Sequence, residues 1–296
     1  MNESFIMSCC STVDLPADLL EQRGIRYTCF HYFLDGVEYP DDLGKSMPLP
    51  AFYQAMVDGA DTRTAQVNVE EYRTYFTELL QQGKDVLHVT LSSGISGSYN
   101  SACIAAELLR EQFPERQLLV VDSLGASSGS GLIMTTLADM RDEGKTIQET
   151  YDWIMHNRLC MHHWFCSTDL TFYVKGGRVT KAAGWFGTVL RICPVLNMDN
   201  LGRLIPRFKV RGKQNALREL EHQMEEHAEN GTAYNGHCCM SHSNCRADAE
   251  FVAALVKKHF PHLQGDVQIY DIGTTIGSHT GPGTVALYFW GDERKN

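Results

Sequence analysis

The fold is decided by the stretch Asp85-Val86-Leu87-His88-Val89-Thr90-Leu91-Ser92-Ser93-Gly94-Ile95-Ser96-Gly97-Ser98. Its first half is rich in apolar and β-branched residues, which favours a buried strand. The loop that follows is rich in serine and glycine, and a helical pattern then runs from Ser98 to about Gln112. A strand that leads through a short polar loop into a helix predicts one unit of a parallel sheet with helices on its faces.

The same order of elements recurs on both sides of this stretch. A strand at 5–10 precedes one helical pattern, and a strand at 117–122 precedes another. Residues 25–39 predict a hairpin with a tight turn. Strands that alternate with helices are typical of α/β proteins. We therefore predict a doubly wound parallel-sheet sandwich in an N-terminal α/β domain of residues 1–160.

The second half has a different pattern. Strand-like segments at 193–198 and 203–210 flank a four-residue turn and predict an antiparallel pair. The other predicted elements of this half are strands at 162–168, 170–174, 233–240, 266–271 and 284–290, and helices at 212–228 and 246–259. This order predicts a C-terminal α/β domain of residues 161–296, α+β-like in character, with a mixed or antiparallel sheet.

Composition limits the class of protein. The 296 residues are 43% hydrophobic and 21% charged, so the chain can bury a sizeable core. The formal net charge of -10 argues against nucleic-acid binding, because an acidic surface repels phosphate. The sequence offers no run of about 18 apolar residues for a spanning helix, and Glu3 stands where a secretory leader needs bases. We expect a cytoplasmic protein with no stable membrane insertion.

The ten cysteines predict free thiols. Without an export signal, disulfides are not expected, and most of the cysteines lie in apolar segments that are typical of buried side chains. The densest group, His237–Cys245, lacks the paired Cys or His spacings of a zinc site. The remaining histidines show no ligand spacing either, so we expect no metal.

Hydroxyl-bearing loops follow several predicted strands. They contain Ser11-Thr12, Ser92-Ser93, Ser123 with Ser127-Ser128, and Thr62 and Thr64 with Gln66. Ligands of a doubly wound sheet bind beyond the carboxyl ends of its strands, and hydroxyls beside helix N-termini bind anions. The alternative is that these residues serve as helix N-caps. Because the chain has no P-loop or dinucleotide fingerprint, a carboxylate is favoured over a nucleotide.

A serine hydrolase is a competing hypothesis. Gly125–Gly129 matches the nucleophile-elbow pattern around Ser127, and Asp169 and His279 follow in the order of a triad. The strand does not run directly into this motif, which argues against an elbow. The glycine-rich stretch Gly277–Gly283 predicts a loop, in which His279 either donates to a carboxylate or is satisfied by a backbone carbonyl.

Basic residues cluster in one predicted strand. Arg203, Arg207, Lys209 and Arg211 are all odd-numbered, so an extended segment places them on one face. Arg178 is a further candidate for this surface. In an acidic chain, such a cluster predicts docking of an acidic partner surface. The alternative is an ordinary solvated strand face.

Six motifs together resemble the DegV family of bacterial fatty-acid-binding proteins. They are Ser11-Thr12-Val13-Asp14-Leu15-Pro16, Thr64-Ala65-Gln66, Leu91–Tyr99, Val121-Asp122-Ser123, Lys175-Gly176-Gly177-Arg178 and Ile276–Gly283. Each motif is weak alone, but they occur in the family's order over nearly the whole chain.

The resemblance implies a non-catalytic carrier that holds one long-chain fatty acid in a tunnel near the domain junction. It implies that Thr64 and Ser93 bind the carboxylate, with Ser92 and His279 close by. Some family members present the acid to a fatty-acid kinase, which makes an acyl phosphate. No other cofactor is implied.

The sequence departs from the family pattern at two places. The family's Thr-Asp-Ser-Thr is Cys9-Cys10-Ser11-Thr12 here, so an aspartate is lost. The family's Thr-Ser-Gln is Thr64-Ala65-Gln66 here, which removes one hydroxyl. We expect head-group contacts to differ at these positions, while Thr64 and Ser93 are retained.

Overall fold

The computed structural model describes residues 4–179 and 192–296. In chain order its strands are β1 (Ile6–Cys10), β2 (Ile25–Thr28), β3 (His31–Leu34), β4 (Val37–Pro40), β5 (Thr62–Ala65), β6 (Val86–Thr90), β7 (Leu118–Asp122), β8 (Met161–Cys166), β9 (Ile192–Met198), β10 (Leu204–Arg211), β11 (Cys238–His242), β12 (Gln268–Asp271) and β13 (Val285–Trp290). Its helices are α1 (Ala17–Gln22), α2 (Leu49–Val57), α3 (Val69–Leu80), α4 (Ser98–Leu109), α5 (Ser127–Asp142), α6 (Ile147–Asn157), α7 (Thr171–Lys175), α8 (Lys213–His227), α9 (Arg246–His259) and α10 (Thr274–Thr280). Among these helices, none is both long and apolar enough to cross a membrane.

The predicted parallel sheet is confirmed. Its strand order is β2-β1-β6-β7, and each neighbouring pair is parallel. Helices α5 and α6 pack on one face, and α3 and α4 pack on the other. Because both faces are covered, β1 and β6 are buried along their whole length. A small antiparallel sheet of order β4-β3-β5 completes this part of the chain, with the β3–β4 turn at Asp35-Gly36.

The second large sheet is mixed, as predicted. Its order is β10-β9-β8-β13-β11-β12, and its pairs are antiparallel except for β11 with β12. The antiparallel pair β9–β10 around the turn at 199–202 is confirmed. The strands of this sheet all follow residue 160, while those of the parallel sheet precede it. The division into domains 1–160 and 161–296 stays a prediction.

Helix α5 lies between the two large sheets. It packs against β8, β11 and β13 and shares a core with β1 and β6. A Cβ atom added to Gly129 would lie 2.3 Å from Nε2 of His163, so only glycine allows this close approach. The serine- and glycine-rich stretch at 125–131 is therefore explained by close packing of a helix on a sheet.

Two predictions of secondary structure were wrong. Of residues 170–174, predicted as a strand, 171–174 belong to α7, which begins where Thr171 N donates to Asp169 Oδ1 at 2.8 Å. A short apolar run has no periodicity that separates one helical turn from a strand. His279 lies in α10 rather than in a loop, because Gly277 and Gly281 continue the helical hydrogen bonds to Gly273 and Gly277.

The predicted basic face of β10 is interrupted by a bulge. Ile205 pairs with Asn197 and Lys209 with Pro194, and the register shifts between Pro206 and Phe208. One extra residue reverses the alternation of side chains along the strand. Odd-numbered residues before and after the bulge therefore lie on opposite faces, and the expectation of one shared face was wrong. Lys209 and Arg211 remain together, Arg207 occupies the bulge, and Arg203 precedes the strand.

Candidate functional site

A cavity of about 750 Å³ lies between the parallel sheet, the small sheet, α10 and the mixed sheet. Its walls include apolar side chains from both halves of the chain, among them Phe30, Phe165, Met198 and Leu204. One group of polar side chains on the wall consists of Thr64, Gln66, Ser96, Arg178 and His279. The volume is within the ~300–1,000 Å³ that is usual for small-molecule sites.

Thr64 and His279 form a hydrogen-bonded pair in this polar region. Thr64 lies on β5 and His279 on α10, and Oγ1 of Thr64 is 2.7 Å from Nε2 of His279. Nδ1 of His279 is buried without a hydrogen-bond partner among the described residues. A buried N–H without an acceptor is rarer than a buried acceptor without a donor, which favours the proton on Nε2. His279 then donates to Thr64, and the Thr64 hydroxyl is free to donate into the cavity.

Burial keeps the His279 imidazole neutral. Desolvation, with a smaller contribution from the positive charge of Arg178, lowers the pKa of His279 to about 3. Glycine at 176 is required beside this ring, because a Cβ there would lie 2.1 Å from Nδ1. The imidazole is therefore a fixed neutral donor that orients Thr64.

Arg178 brings a positive charge to the cavity wall. Its Nε donates to the carbonyl oxygen of Ile95 at 3.3 Å, and its Nη1 donates to the carbonyl oxygen of Gly176 at 2.5 Å. The side chain is half-buried, and desolvation lowers its pKa. Sequence reasoning assigned Arg178 to partner docking, whereas the structure places it beside Thr64 and His279. No spacing in the sequence signals this position, because Arg178 and Thr64 come from different halves of the chain.

The two serines of the Ser92-Ser93 doublet occupy different environments. Ser92 is buried, and its hydroxyl donates to the carbonyl oxygen of Gly202 at 2.8 Å. Ser93 is exposed, and its backbone N–H donates to Oδ1 of Asp122 at 3.0 Å. Among the described residues that line the cavity, the serine from this loop is Ser96. Of the four predicted carboxylate ligands, the structure brings Thr64 and His279 together at the cavity wall, whereas Ser92 and Ser93 are not among the described residues that line it.

A second polar group lies at another wall of the cavity. Ser127 and Tyr288 line it, and both contact the hydroxyl of Ser241, at 3.2 and 2.8 Å. Ser127 also donates to Oδ2 of the buried Asp14 at 2.5 Å. Burial, and secondarily the charge of Asp41, raises the pKa of Asp14 well above its usual range.

This network contradicts the serine hydrolase hypothesis. Ser127 is hydrogen-bonded to an aspartate, while His279 is hydrogen-bonded to Thr64. The Asp169 carboxylate accepts a hydrogen bond from the backbone N–H of Thr171 at the start of α7. A nucleophile needs a base within hydrogen-bond reach and an acid that orients the base. Since the three candidates have other partners, they do not form a triad.

Asp41 ties α10 to the first half of the chain. Its carboxylate accepts hydrogen bonds from Thr274 Oγ1 at 2.8 Å and from Ser11 Oγ at 3.2 Å, and it is almost fully buried. Tyr53 adds a hydrogen bond to the carbonyl oxygen of Ile272 at 2.8 Å. These contacts fix the helix that carries His279. Sequence reasoning missed Asp41, because no motif surrounds it.

The other basic residues predicted to dock a partner lie on or next to β10. Arg203 is paired with Asp199 at 2.7 Å, and Arg207 Nε donates to Oδ1 of Asn197 at 2.7 Å. Lys209 and Arg211 are exposed on β10. Leu204, on the same strand, lines the cavity. The basic strand therefore borders the candidate site.

Comparison with known proteins finds relatives that match nearly the whole chain. A family model described as "Uncharacterised protein, DegV family" matches residues 10–291. A DegV domain-containing protein of Clostridium perfringens is 33% identical over 99% of both chains. A fatty acid-binding protein of Thermotoga maritima is 30% identical, over 96% of this chain and 97% of that protein.

Solved structures share the whole fold. A DegV lipid binding protein from Thermotoga maritima matches with a TM-score of 0.83 and 27% identity, over 99% of this chain and 100% of that one. A DegV family protein from Thermus thermophilus, described for its fatty acid binding, matches with a TM-score of 0.85 and 25% identity, over 98% and 100%. The motifs, the family model and the fold lead to one conclusion: this chain belongs to the DegV family.

Proposed function

We propose that this protein binds one long-chain fatty acid in the 750 Å³ cavity and presents its carboxylate to a fatty-acid kinase. The observation that carries the proposal is the combination of apolar walls with a polar region that contains the Thr64–His279 pair and the positive charge of Arg178. Relatives from Thermotoga maritima and Thermus thermophilus are described as lipid- or fatty-acid-binding. The protein acts as a carrier and does no chemistry on the acid.

The energetics suit an acyl ligand. Burial of roughly 15 methylenes at ~0.8 kcal/mol each contributes about 12 kcal/mol before costs. That is large enough to offset ordering of the chain and desolvation of the carboxylate. The apolar walls therefore supply most of the affinity, and the polar region fixes which end of the ligand lies there.

The head group is held by a hydroxyl and a nearby positive charge. In the proposed complex, Thr64 donates its hydroxyl proton to a carboxylate oxygen, and His279 orients Thr64 by donating to it. Arg178 stabilises the carboxylate charge, although its Nε and Nη1 are committed to backbone carbonyls. A carboxylate held in this way, without a two-pronged arginine contact, keeps an oxygen accessible to a phosphoryl donor. Ser93, which is exposed three residues before the cavity-lining Ser96, is retained as a further candidate contact.

Solvent extraction tests the binding. The purified protein is extracted and analysed by mass spectrometry, then stripped of lipid and titrated with palmitate. We expect about one fatty acid per chain on both routes. Leu204→Glu, which places a charge in the apolar wall, should abolish uptake, whereas Leu201→Glu, three residues away and 51% exposed, should not. Absence of fatty acid in the extract together with no uptake of palmitate would disprove the proposal.

The kinase partner is tested separately. We infer that Lys209 and Arg211, on the strand that borders the cavity, contact an acidic surface of the kinase. Lys209→Glu with Arg211→Glu should lower the rate of ATP-dependent acyl phosphate formation by a purified fatty-acid kinase at least tenfold, with palmitate uptake unchanged. Lys258→Glu, exposed on α9, is the matched control. An unchanged rate in the double variant would exclude this docking surface without affecting the binding proposal.

A further inference from the structure

Three side chains with metal-binding atoms meet on the mixed sheet, away from the cavity. They are His162 on β8, His227 at the end of α8, and Asp292 just after β13, and their ligand atoms lie within 4.8 Å of one another. Oδ1 of Asp292 is 3.0 Å from Nε2 of His162 and 3.1 Å from Nδ1 of His227. In a tetrahedral zinc site with bonds of about 2.0–2.1 Å, neighbouring ligand atoms are roughly 3.3 Å apart. The two distances from Asp292 Oδ1 are close to that value.

The three groups are held in place by backbone and ring packing. His162 is 2% exposed and stacks between Phe289 and His227, with ring centroids 5.1 and 5.0 Å apart. Asp292 N donates to the carbonyl oxygen of His227 at 3.0 Å. A Cβ at Gly291 would lie 2.1 Å from that same oxygen, so glycine is needed for the chain to turn here. The fold therefore brings the three side chains together before any metal binds.

We propose that His162, His227 and Asp292 form a binding site for one divalent transition metal, with Zn²⁺ as the best fit. Two imidazoles and one carboxylate are a donor set that zinc favours, and three protein ligands leave a fourth position for water. Asp292 is exposed and His227 is partly exposed, so an ion can enter from solvent. His162 faces away from the cavity, which its neighbour His163 lines, so the site is independent of fatty acid binding.

The hydrogen bond from the Trp164 indole to His162 opposes metal binding by that histidine. Its Nε1 donates to Nδ1 of His162 at 3.3 Å, and Nε2 of His162 lies 2.9 Å from the carbonyl oxygen of Asp292. This arrangement places the imidazole proton on Nε2, which is the atom that a metal must take. Metal binding moves the proton to Nδ1, where it faces the indole N–H, so Trp164 has to turn away. Trp164 is therefore both a reporter of binding and a group that weakens it.

The site would anchor the end of the chain. Two residues after Asp292, Arg294 donates to the carbonyl oxygens of Leu124 and Met198, at 2.9 and 3.4 Å. A metal held by β8, α8 and Asp292 fixes the segment from which Arg294 extends. An ion that binds only the folded chain stabilises it by mass action. The role that follows is structural: the metal strengthens the junction between the two halves.

Metal titration of the full chain tests the site. Protein stripped with a chelator is titrated with Zn²⁺ in competition with a chromophoric chelator, and with Co²⁺ for its visible spectrum. We expect one ion per chain, a change in tryptophan emission, and a four-coordinate Co²⁺ spectrum. Asp292→Asn and His227→Gln should each weaken Zn²⁺ binding more than about tenfold, whereas His222→Gln, exposed on the same helix, should not.

Substitution of Trp164, which donates a hydrogen bond to His162, gives a second, independent test. Trp164→Phe removes the competing donor and should bind Zn²⁺ at least as tightly as the wild type, without the change in emission. Asp292 and His227 lie at the surface, so their variants fold even if substitution of the buried His162 does not. Equal Zn²⁺ affinity in the wild type and in Asp292→Asn would overturn the proposal, and so would weaker binding by Trp164→Phe.

Discussion

At the scale of single residues, the proposed function depends on the Thr64 hydroxyl, which is free to donate a hydrogen bond. The short contact between Thr64 and His279 uses one lone pair of the threonine oxygen and leaves its proton for a ligand. Burial keeps this histidine neutral by lowering the pKa of His279 to about 3. The pair is therefore unaffected by pH changes near neutrality.

Thr64→Val should weaken fatty acid binding selectively. The change removes the hydroxyl but keeps the shape of the side chain, and a hydrogen bond to a charged group contributes ~1.5–3 kcal/mol. We expect palmitate to bind roughly tenfold to a hundredfold more weakly, while methyl palmitate, which has no charge, changes little. Thr62→Val is the matched control, because Thr62 lies on the same strand and donates to Ser278. An equal loss for both ligands would assign Thr64 a purely structural role.

His88 should make the stability of the protein depend on pH. It is completely buried under Tyr72 and Phe76, and burial lowers its pKa from 6.5 to about 3. Between these values the unfolded chain binds a proton that the folded chain does not, so stability falls as pH falls below 6.5. Each pH unit costs about 1.4 kcal/mol.

The check is a comparison with His88→Gln, which has no proton to gain. The difference in unfolding free energy between wild type and variant should shrink by roughly 2 kcal/mol from pH 7 to pH 5. Denaturant titrations at the two pH values measure it. A difference that stays constant would mean that His88 is protonated in both states or in neither.

At the scale of elements, the long and regular parts of the fold were predictable. The change from an apolar to a hydroxyl-rich segment predicted β6, the polar loop after it and α4. The four-residue turn predicted the β9–β10 pair. The incorrect predictions of secondary structure concerned short elements. Five residues of α7 and seven of α10 are too few to show a helical period, and the bulge in β10 has no sequence signal apart from Pro206.

Asp41 should control the order of α10. Its carboxylate accepts from Ser11 and Thr274 in a buried site. Asp41→Ala leaves both hydroxyls without an acceptor, so we expect a loss of about 2–4 kcal/mol in stability. Amide exchange at 274–280 should rise. Asp42→Ala, at a neighbouring exposed carboxylate that bonds Ser46, should leave exchange in α10 unchanged; a similar rise there would show that the loop, not Asp41, holds the helix.

At the scale of the whole molecule, the candidate site exists only where the two halves meet. Thr64 and His279 are 215 residues apart, and no local pattern relates them. Their pairing was expected solely from the resemblance to the DegV family. The position of Arg178 and the role of Asp41 were not expected at all, because both depend on contacts between distant segments. The proposed metal ligands His162, His227 and Asp292 could not be predicted for the same reason, since known spacing rules describe ligands that are close in sequence.

Arg294 should be one of the strongest links between the halves. It is 3% exposed and donates to carbonyl oxygens of Leu124, Leu159 and Met198. Arg294→Met preserves much of the apolar stem but leaves these buried acceptors unpaired, so we expect a loss of about 3 kcal/mol and a lower Tm. Lys295→Met, at the exposed neighbouring position, should leave the Tm unchanged. Equal Tm values for Arg294→Met and the wild type would show that water replaces the guanidinium.

The position of β13 has a consequence for synthesis of the protein. Of the strands in the mixed sheet, β13 is the last to be synthesised, yet it lies between β8 and β11 in the interior of that sheet. Until it arrives, β8 and β11 expose their inner edges, and α5 lacks one of the surfaces it packs against. Such a long-range closing step is intrinsically slow and leaves unpaired edges open to aggregation. A nascent chain that stops before residue 285 therefore lacks the central strand of this sheet and is a natural substrate for chaperones and proteases.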